Sequence, residues 1–91
     1  MIIKLTEIDF HNEYENPNSY KIVSVKVEKE PVYVNTNAIF SFRKCEHQQK
    51  LYNGDVFARS YTEINLGEGT SIEVNENPEE IMQTINAQEA K

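Results

Sequence analysis

Three side chains of this sequence have the chemical types needed for metal binding or nucleophilic catalysis. Cys45 and His47 are separated by one residue, and His11 lies far upstream. A structural zinc site needs four ligands in paired spacing, and the sequence contains no second pair. On one strand Cys45 and His47 would point to the same side, which a thiol–imidazole pair requires. We interpret them as polar strand or loop residues, and we predict no metal, no cofactor and no catalytic residue.

Carboxylates form two groups that could do acid–base work or hold calcium. The first group is Glu7, Asp9, Glu13 and Glu15, and the second is Glu76, Glu79 and Glu80. The first has no loop of alternating oxygen ligands around a central glycine. The second is explained by the start of a helix. We therefore interpret both groups as solvated acids.

The basic residues are concentrated in the middle of an acidic chain. The net charge is −6, which disfavours direct nucleic-acid binding because the chain repels phosphates. Residues 18–45 nevertheless contain more cations than acids. A small anion, or the acidic end of another subunit, could be held there by four candidate residues: Lys21, Lys26, Arg43 and Lys44.

Tyrosine and phenylalanine are the candidates for a contact surface, because they supply large rigid contacts. Tyr33 is out of phase with Val32 and Val34, so it is expected to face away from their core. Phe40 and Phe42 share one face of the next apolar run. We predict a partner or oligomer interface at Tyr33, Phe40, Phe42 and Tyr52, together with the arm 44–58.

Alternating apolar residues predict the strands that must position these side chains. Residues 2–8 form a strand with Ile3 and Leu5 on one face and Ile2 and Ile8 on the other, and 11–19 forms a polar loop. Residues 20–28 and the run that starts at Val32 are expected to pair around a loop at 28–31, with Val27 facing Val32.

The run 38–44 forms a further strand, and Asn53-Gly54 is a strong hairpin signal. A two-residue turn there would put Phe40 and Phe42 on the opposite face from Ile64. We therefore expect a bulge or an irregular loop between 44 and 60, and we keep a sheet that is covered on both faces as the alternative.

The last third of the chain is the clearest part of the pattern. The loop Gly67-Glu68-Gly69 is expected to pair Ile64 with Ile72 and Thr62 with Val74. Asn77 then suits a helix N-cap, Pro78 the first helical position, and Glu80 a capping box. Ile81 and Ile85 form the apolar stripe of this helix, and residues 86–91 are expected to fray.

These elements predict a single α+β domain over 1–91: an antiparallel β-meander of five or six strands, as a curved sheet or small open barrel, with one C-terminal helix. The core is expected to contain the following residues: Ile3, Leu5, Val23, Val25, Val27, Val32, Val34, Ile64, Leu66, Ile72, Val74, Ile81 and Ile85. One cysteine fits a reducing, cytoplasmic compartment, and we expect neither a signal peptide nor a membrane span.

Two segments carry a resemblance to a known family. They are PVYVNTNAIFSF at 31–42 and TEINLGEGTSIEVNENPEEIMQTI at 62–85. With the MI-x-LT start, their T-x-I-x-L-x-x-G-x-x-I-x-V hairpin and E-x-PEEI helix resemble small bacterial flagellar or swarming-motility proteins and similar short phage and prophage proteins. The chain departs from them by longer insertions at 9–21 and 44–58. The resemblance implies a small cytoplasmic β-rich domain that self-associates and has a regulatory or interaction role, and it implies no catalytic residues.

We therefore expect a non-enzymatic interaction protein that acts as a homo-oligomer, with a phage-type origin making it an inhibitor or regulator of a host protein. The first alternative is a binder of a nucleotide-like anion that uses the basic residues and a stacking tyrosine. The second is an acidic mimic of nucleic acid that blocks a DNA-binding protein.

Overall fold

The computed structural model describes residues 1–89, and within them five strands and one helix form an α+β fold. The strands are β1 (Ile2–Tyr14), β2 (Ile22–Asn35), β3 (Ser41–Lys50), β4 (Val56–Asn65) and β5 (Ser71–Val74), followed by the helix α1 (Pro78–Glu89). They form one antiparallel sheet in the order β2-β1-β5-β4-β3. The predicted fold class, an open antiparallel sheet with one C-terminal helix, is confirmed.

The short strand β5 lies between two long hairpins. Its pairing with β1 is limited to Glu7 opposite Val74. Just beyond it, the Asn75 amide donates to the Thr6 carbonyl at 2.8 Å, and the Thr6 amide donates to the Glu76 carboxylate at 2.9 Å. Beyond these contacts the hairpins β1–β2 and β3–β4 extend further, which gives the molecule dimensions of 52 × 23 × 19 Å.

The predicted hairpin with a loop at 28–31 is wrong, because β2 is one continuous edge strand. Val32 pairs with Leu5, and Val27 pairs with Phe10 further along the same partner strand. The Thr36 amide donates to the Met1 carbonyl, and in this register the backbone of Pro31 points to the open edge. Since no hydrogen bond to β1 needs a donor there, proline is compatible with the middle of this strand.

Two loop predictions are also corrected. The polar segment 11–19 is a loop only in its second part, because β1 continues to Tyr14. The bulge or irregular loop expected between 44 and 60 is replaced by a regular hairpin with a five-residue connection at 51–55. The longer connection changes the register by one residue, so Phe42 lies opposite Ile64 and their faces agree.

A core lies between the sheet and α1. Its buried residues are Ile3, Leu5, Val34, Ile64, Val74 and Ile81, and Val32, Ile39, Phe42, Leu66, Ile72 and Ile85 pack against it half-buried. Most of the predicted core is therefore confirmed. The exceptions are Val23, Val25 and Val27, which are half-buried and lie outside this core.

The long strands change their buried face near the middle. In β1, Ile3 and Leu5 are buried on one side, whereas Ile8 is buried on the other. In β2, Val27 and Val32 likewise lie on opposite faces, because side chains at odd and even positions of a strand point to opposite sides. At one end of the sheet, the face that carries Ile3 and Leu5 packs against the helix. At the other end, the opposite face, which carries Ile8 and Phe10, lies where the two long hairpins contact each other.

The local signals of the last third are confirmed. Ile64 pairs with Ile72 and Thr62 with Val74, and Gly69 has a φ of +77° in the connecting loop. The Glu80 amide donates to the Asn77 side chain at 2.8 Å, and the Asn77 amide faces the Glu80 carboxylate at 3.4 Å, as in a capping box. The helix continues through Glu89, and residues 90 and 91 of the segment expected to fray lie outside the described residues.

Replacing Ile64 by alanine should lower the free energy of unfolding by about 3 kcal/mol, because the side chain is fully buried and a cavity would remain. Val56→Ala on the same strand is the control. Val56 is exposed, so we expect a change below about 0.5 kcal/mol. Urea denaturation measures both values. Equal losses for the two variants would contradict the assignment of the core.

Candidate functional site

The predicted contact residues lie at separate places on the molecule. Tyr33 on β2 is 67% exposed, Phe40 just before β3 is 79% exposed, and Tyr52 in the β3–β4 loop is 61% exposed. Phe42 instead turns inward and packs against the core. Three of the four side chains are therefore available for contacts, but they do not form one surface.

The exposed aromatic residue on β2 has an apolar neighbour. Tyr33 lies opposite Lys4, and Ile2 lies diagonally across the same strand pair on the same face. Ile2 is 55% exposed, and this part of the sheet faces away from the helix core. We call these two residues the Ile2–Tyr33 patch.

The predicted anion-binding residues are not brought together. Lys21 precedes β2 and Lys26 lies on it, whereas Arg43 and Lys44 lie on β3 at the opposite edge of the sheet. Three of these cations face a carboxylate of the chain: Lys21–Glu15 at 3.8 Å, Lys26–Glu28 at 3.3 Å and Arg43–Glu63 at 3.2 Å.

Lys44 lies beside an open groove of about 240 Å³ near the start of the helix, lined by Lys44, Ser60, Tyr61, Asn75, Asn77 and Glu80. Several of its polar groups already have partners within the chain. Asn75 accepts from Arg59 at 2.7 Å, and Asn77 caps the helix. The carboxylate of Glu80 also lines the groove, so its charge opposes anion binding.

The cysteine and the histidines lie on two different strands, β3 and β1. Cys45 and His47 are half-buried on the same side of β3, as the spacing predicts. His11 lies on β1 and faces Glu28 at 3.5 Å. Across residues 1–89, no three His, Cys, Asp or Glu side chains are placed to hold a metal ion.

An aromatic cluster that the sequence analysis missed joins the two long hairpins. The rings of Phe10 and His47 stack in parallel with their centroids 4.4 Å apart, and Phe57 and Tyr61 lie within 6.0 Å of Phe10. Phe10 follows Ile8 by two residues on β1, and His47 follows Cys45 by two residues on β3, so each pair points to one face of its strand. That alternation would have indicated strands through these segments if it had been followed past residue 8.

The histidine in this cluster is chemically unusual. His47 Nε2 is buried and, in the part of the chain that the structure describes, has no hydrogen-bond partner. An unpaired buried polar atom costs about 1–3 kcal/mol. The stacked ring of Phe10 and the edge of Phe57 supply apolar contacts instead, so this side chain serves packing.

Acidic groups beside the cluster repel one another. Burial raises the pKa of Glu73, and the nearby carboxylates of Asp9 and Glu63 raise it further. Burial also raises the pKa of Tyr61, with Glu73 as the next cause. Glu63 and Glu73 face each other directly across β4 and β5, an arrangement that destabilises a sheet.

The outer edge of β3 is an unpaired backbone surface in the part of the chain that the structure describes. β3 is the terminal strand of the sheet, and along residues 1–89 no strand pairs with its outer side. The opposite edge, β2, differs. Pro31 interrupts its row of donors. At one end the two edges meet, because the Tyr52 amide, just after β3, donates at 2.9 Å to the Ile22 carbonyl at the start of β2, so the open part of the β3 edge is Ser41–Lys50. We take the β3 edge, with Phe40 beside it, as the candidate functional site.

Comparison with known proteins identifies no match among family models, curated proteins or solved structures. None of the helices found in residues 1–89 has the length and apolar character required to cross a membrane.

Glutamine in place of Glu73 should stabilise the fold at neutral pH by about 0.5 kcal/mol, because it removes one member of a like-charged cross-strand pair. The folded-state pKa of Glu73 is raised, so the folded state holds this proton more tightly. Ionisation therefore lowers stability as the pH rises from the ordinary glutamate pKa of 4.5 through the raised folded-state pKa. The gain from Glu73→Gln should be full above the folded pKa and should disappear below about pH 4.

Chemical denaturation between pH 3.5 and 8 measures this difference. Glu68→Gln, in the exposed β4–β5 loop, makes the same change of charge and should show no comparable pH-dependent gain. A Glu73→Gln variant that is less stable than the native chain at pH 7 would refute the assignment of repulsion.

Proposed function

We propose that this chain is a non-enzymatic interaction protein that acts as a homo-oligomer. The observation that carries the proposal is the open edge of β3, where a regular strand presents backbone groups with no neighbouring strand among residues 1–89. Exposed edges of this kind pair readily with other chains. Phe40 adds an exposed ring beside the edge, and its own amide is fixed to the Asn65 carbonyl at 2.8 Å.

The Ile2–Tyr33 patch supports contact with a second kind of protein. It lies on β1 and β2, away from the β3 edge, so both surfaces can be occupied at once. Contiguous apolar patches are typical of contact sites, and Ile2 and Tyr33 are neighbours on one face of the sheet. With the resemblance to flagellar and phage-type proteins, this patch favours a regulator of a host protein that acts in the cytoplasm, where a free Cys45 is stable.

The two alternatives have less support from the geometry. A nucleotide-like anion would need converging cations, whereas Lys26 and Lys44 lie on opposite edges of the sheet. A mimic of nucleic acid would need free acids at the helix start. Glu76 accepts a hydrogen bond from Thr6, and Glu80 takes part in the helix cap.

Sedimentation velocity over a range of concentrations should show a reversible oligomer. Phe40→Ser should weaken the association by roughly tenfold, because a ring buried at the interface would be lost from each chain. Tyr33→Ser is the matched control, since it also removes an exposed aromatic ring, from the opposite edge, and should leave the association unchanged. A chain that remains monomeric at millimolar concentration would refute the proposal.

A further inference from the structure

We propose that two copies of this chain pair through their β3 edges in one antiparallel register, with Cys45 next to its own copy at the twofold axis. This inference rests on the proposed function, because it specifies how the chain self-associates. The two sheets would then continue into each other across the interface.

The backbone of β3 determines which residues can pair. The Leu51 amide donates to the Asp55 carbonyl at 2.7 Å, in line with the ladder that places Lys50 opposite Val56. Odd-numbered residues of β3 therefore exchange hydrogen bonds with β4. The even-numbered residues point their N–H and C=O groups outward, and they are Phe42, Lys44, Glu46, Gln48 and Lys50.

Symmetry then limits the possible registers. Two antiparallel edges bond only if even-numbered residues face even-numbered residues, so a twofold axis must bring one residue opposite its own copy. An axis at Lys44 or at Glu46 would place like charges opposite each other. An axis at Cys45 instead places Lys44 opposite Glu46 of the second copy, and by symmetry this occurs twice.

The axis at Cys45 also gives hydrogen-bond partners to the outward-pointing backbone groups of β3. Phe42 would pair with Gln48 of the second copy, so about eight backbone hydrogen bonds would form between Phe42 and Gln48 in the two chains. Lys44 and Glu46 are both exposed, and the Glu46 carboxylate accepts a hydrogen bond from the Gln48 side chain on its own strand, which lies on the same face. Charged residues normally protect an edge from pairing, but in this register Lys44 and Glu46 become attractive pairs next to the axis. An axis at Gln48 would also bring opposite charges together, Glu46 and Lys50, but only the segment from Glu46 to Lys50 would then pair, because β3 ends at Lys50.

Cys45 reports directly on this arrangement. It would form a non-hydrogen-bonded pair with its copy, with the two Cα atoms about 4.5 Å apart. That separation lies in the range that a disulfide bridges. Cys45 is the only cysteine in the sequence, so any disulfide-linked dimer must contain it.

The first experiment is oxidative cross-linking of the full chain with diamide, which accepts the two thiol hydrogens as the disulfide forms. We expect rapid conversion to a covalent dimer on a non-reducing gel, and a non-covalent dimer of Cys45→Ala by sedimentation. The matched control, Cys45→Ala with Ala58→Cys, carries one exposed thiol on β4, away from the edge. Cross-linking of this control at the same rate would show random collision and would overturn the register.

The second experiment exchanges the charges. Lys44→Glu and Glu46→Lys should each weaken dimerisation by roughly tenfold, since each creates two like-charged pairs. The double variant restores opposite charges and should recover the native affinity to within about threefold. Failure of the double variant to recover, with both single variants folded by circular dichroism, would overturn the proposal.

These results distinguish failure of the proposed function from failure of the proposed register. A strictly monomeric native chain contradicts both the proposed function and this register. A dimer that does not respond to the charge variants and does not cross-link at Cys45 leaves the proposed function standing and refutes the β3 register alone.

Discussion

The structure depends on a change of buried face within its long strands. A pleated strand directs successive side chains to opposite sides. If the same face of a strand is buried along its whole length, its buried residues are therefore either all odd-numbered or all even-numbered. In β1 the phase changes between Leu5 and Ile8, and in β2 it changes between Val27 and Val32. One sheet can therefore cover a core on one face and an aromatic cluster on the other, so a 91-residue chain with a single helix can bury parts of strands that are 13 and 14 residues long.

The short strand β5 marks the point of this change. It lies between β1 and β4 only at the helix end, where the Glu76 carboxylate reaches Thr6 and the Glu76 carbonyl accepts from the buried Thr62 hydroxyl at 2.6 Å. Where β5 ends, the two hairpins lose their intervening strand. They then contact each other directly through Phe10 and His47. The helix core thus covers one side of the sheet, and the aromatic cluster covers the other side.

Local chemistry explains which parts of the fold could be predicted from the sequence. The Gly67-Glu68-Gly69 loop and the Asn77 cap need only neighbouring residues, so their patterns were sufficient. Pro31 wrongly indicated a loop, because the effect of a proline on a strand depends on whether its nitrogen faces a neighbouring strand. A proline at the outward-facing site of an edge strand is harmless, and which strands lie at the edges is decided by distant parts of the chain. The five-residue loop at 51–55 was missed because Asn53-Gly54 is equally compatible with a shorter turn.

The candidate site was predictable only in part, for the same reason. Exposure of Tyr33, Phe40 and Tyr52 follows from their phase or from their place in loops, whereas the inward turn of Phe42 depends on its register with Ile64. The open edge of β3 follows from strand order, which the alternation of side chains does not specify. The aromatic cluster joins residues from two hairpins that are far apart in sequence.

The continuity of β2 through Pro31 is the claim on which this account rests most directly, and nuclear Overhauser effects between Hα protons test it. Non-hydrogen-bonded antiparallel pairs bring Hα protons close, so we expect Hα–Hα contacts for both Phe10–Val27 and Lys4–Tyr33. These contacts lie on either side of Pro31 along one strand. A contact between Val27 and Val32, together with loss of the Phe10–Val27 contact, would show that the chain turns at 28–31 and would contradict the account.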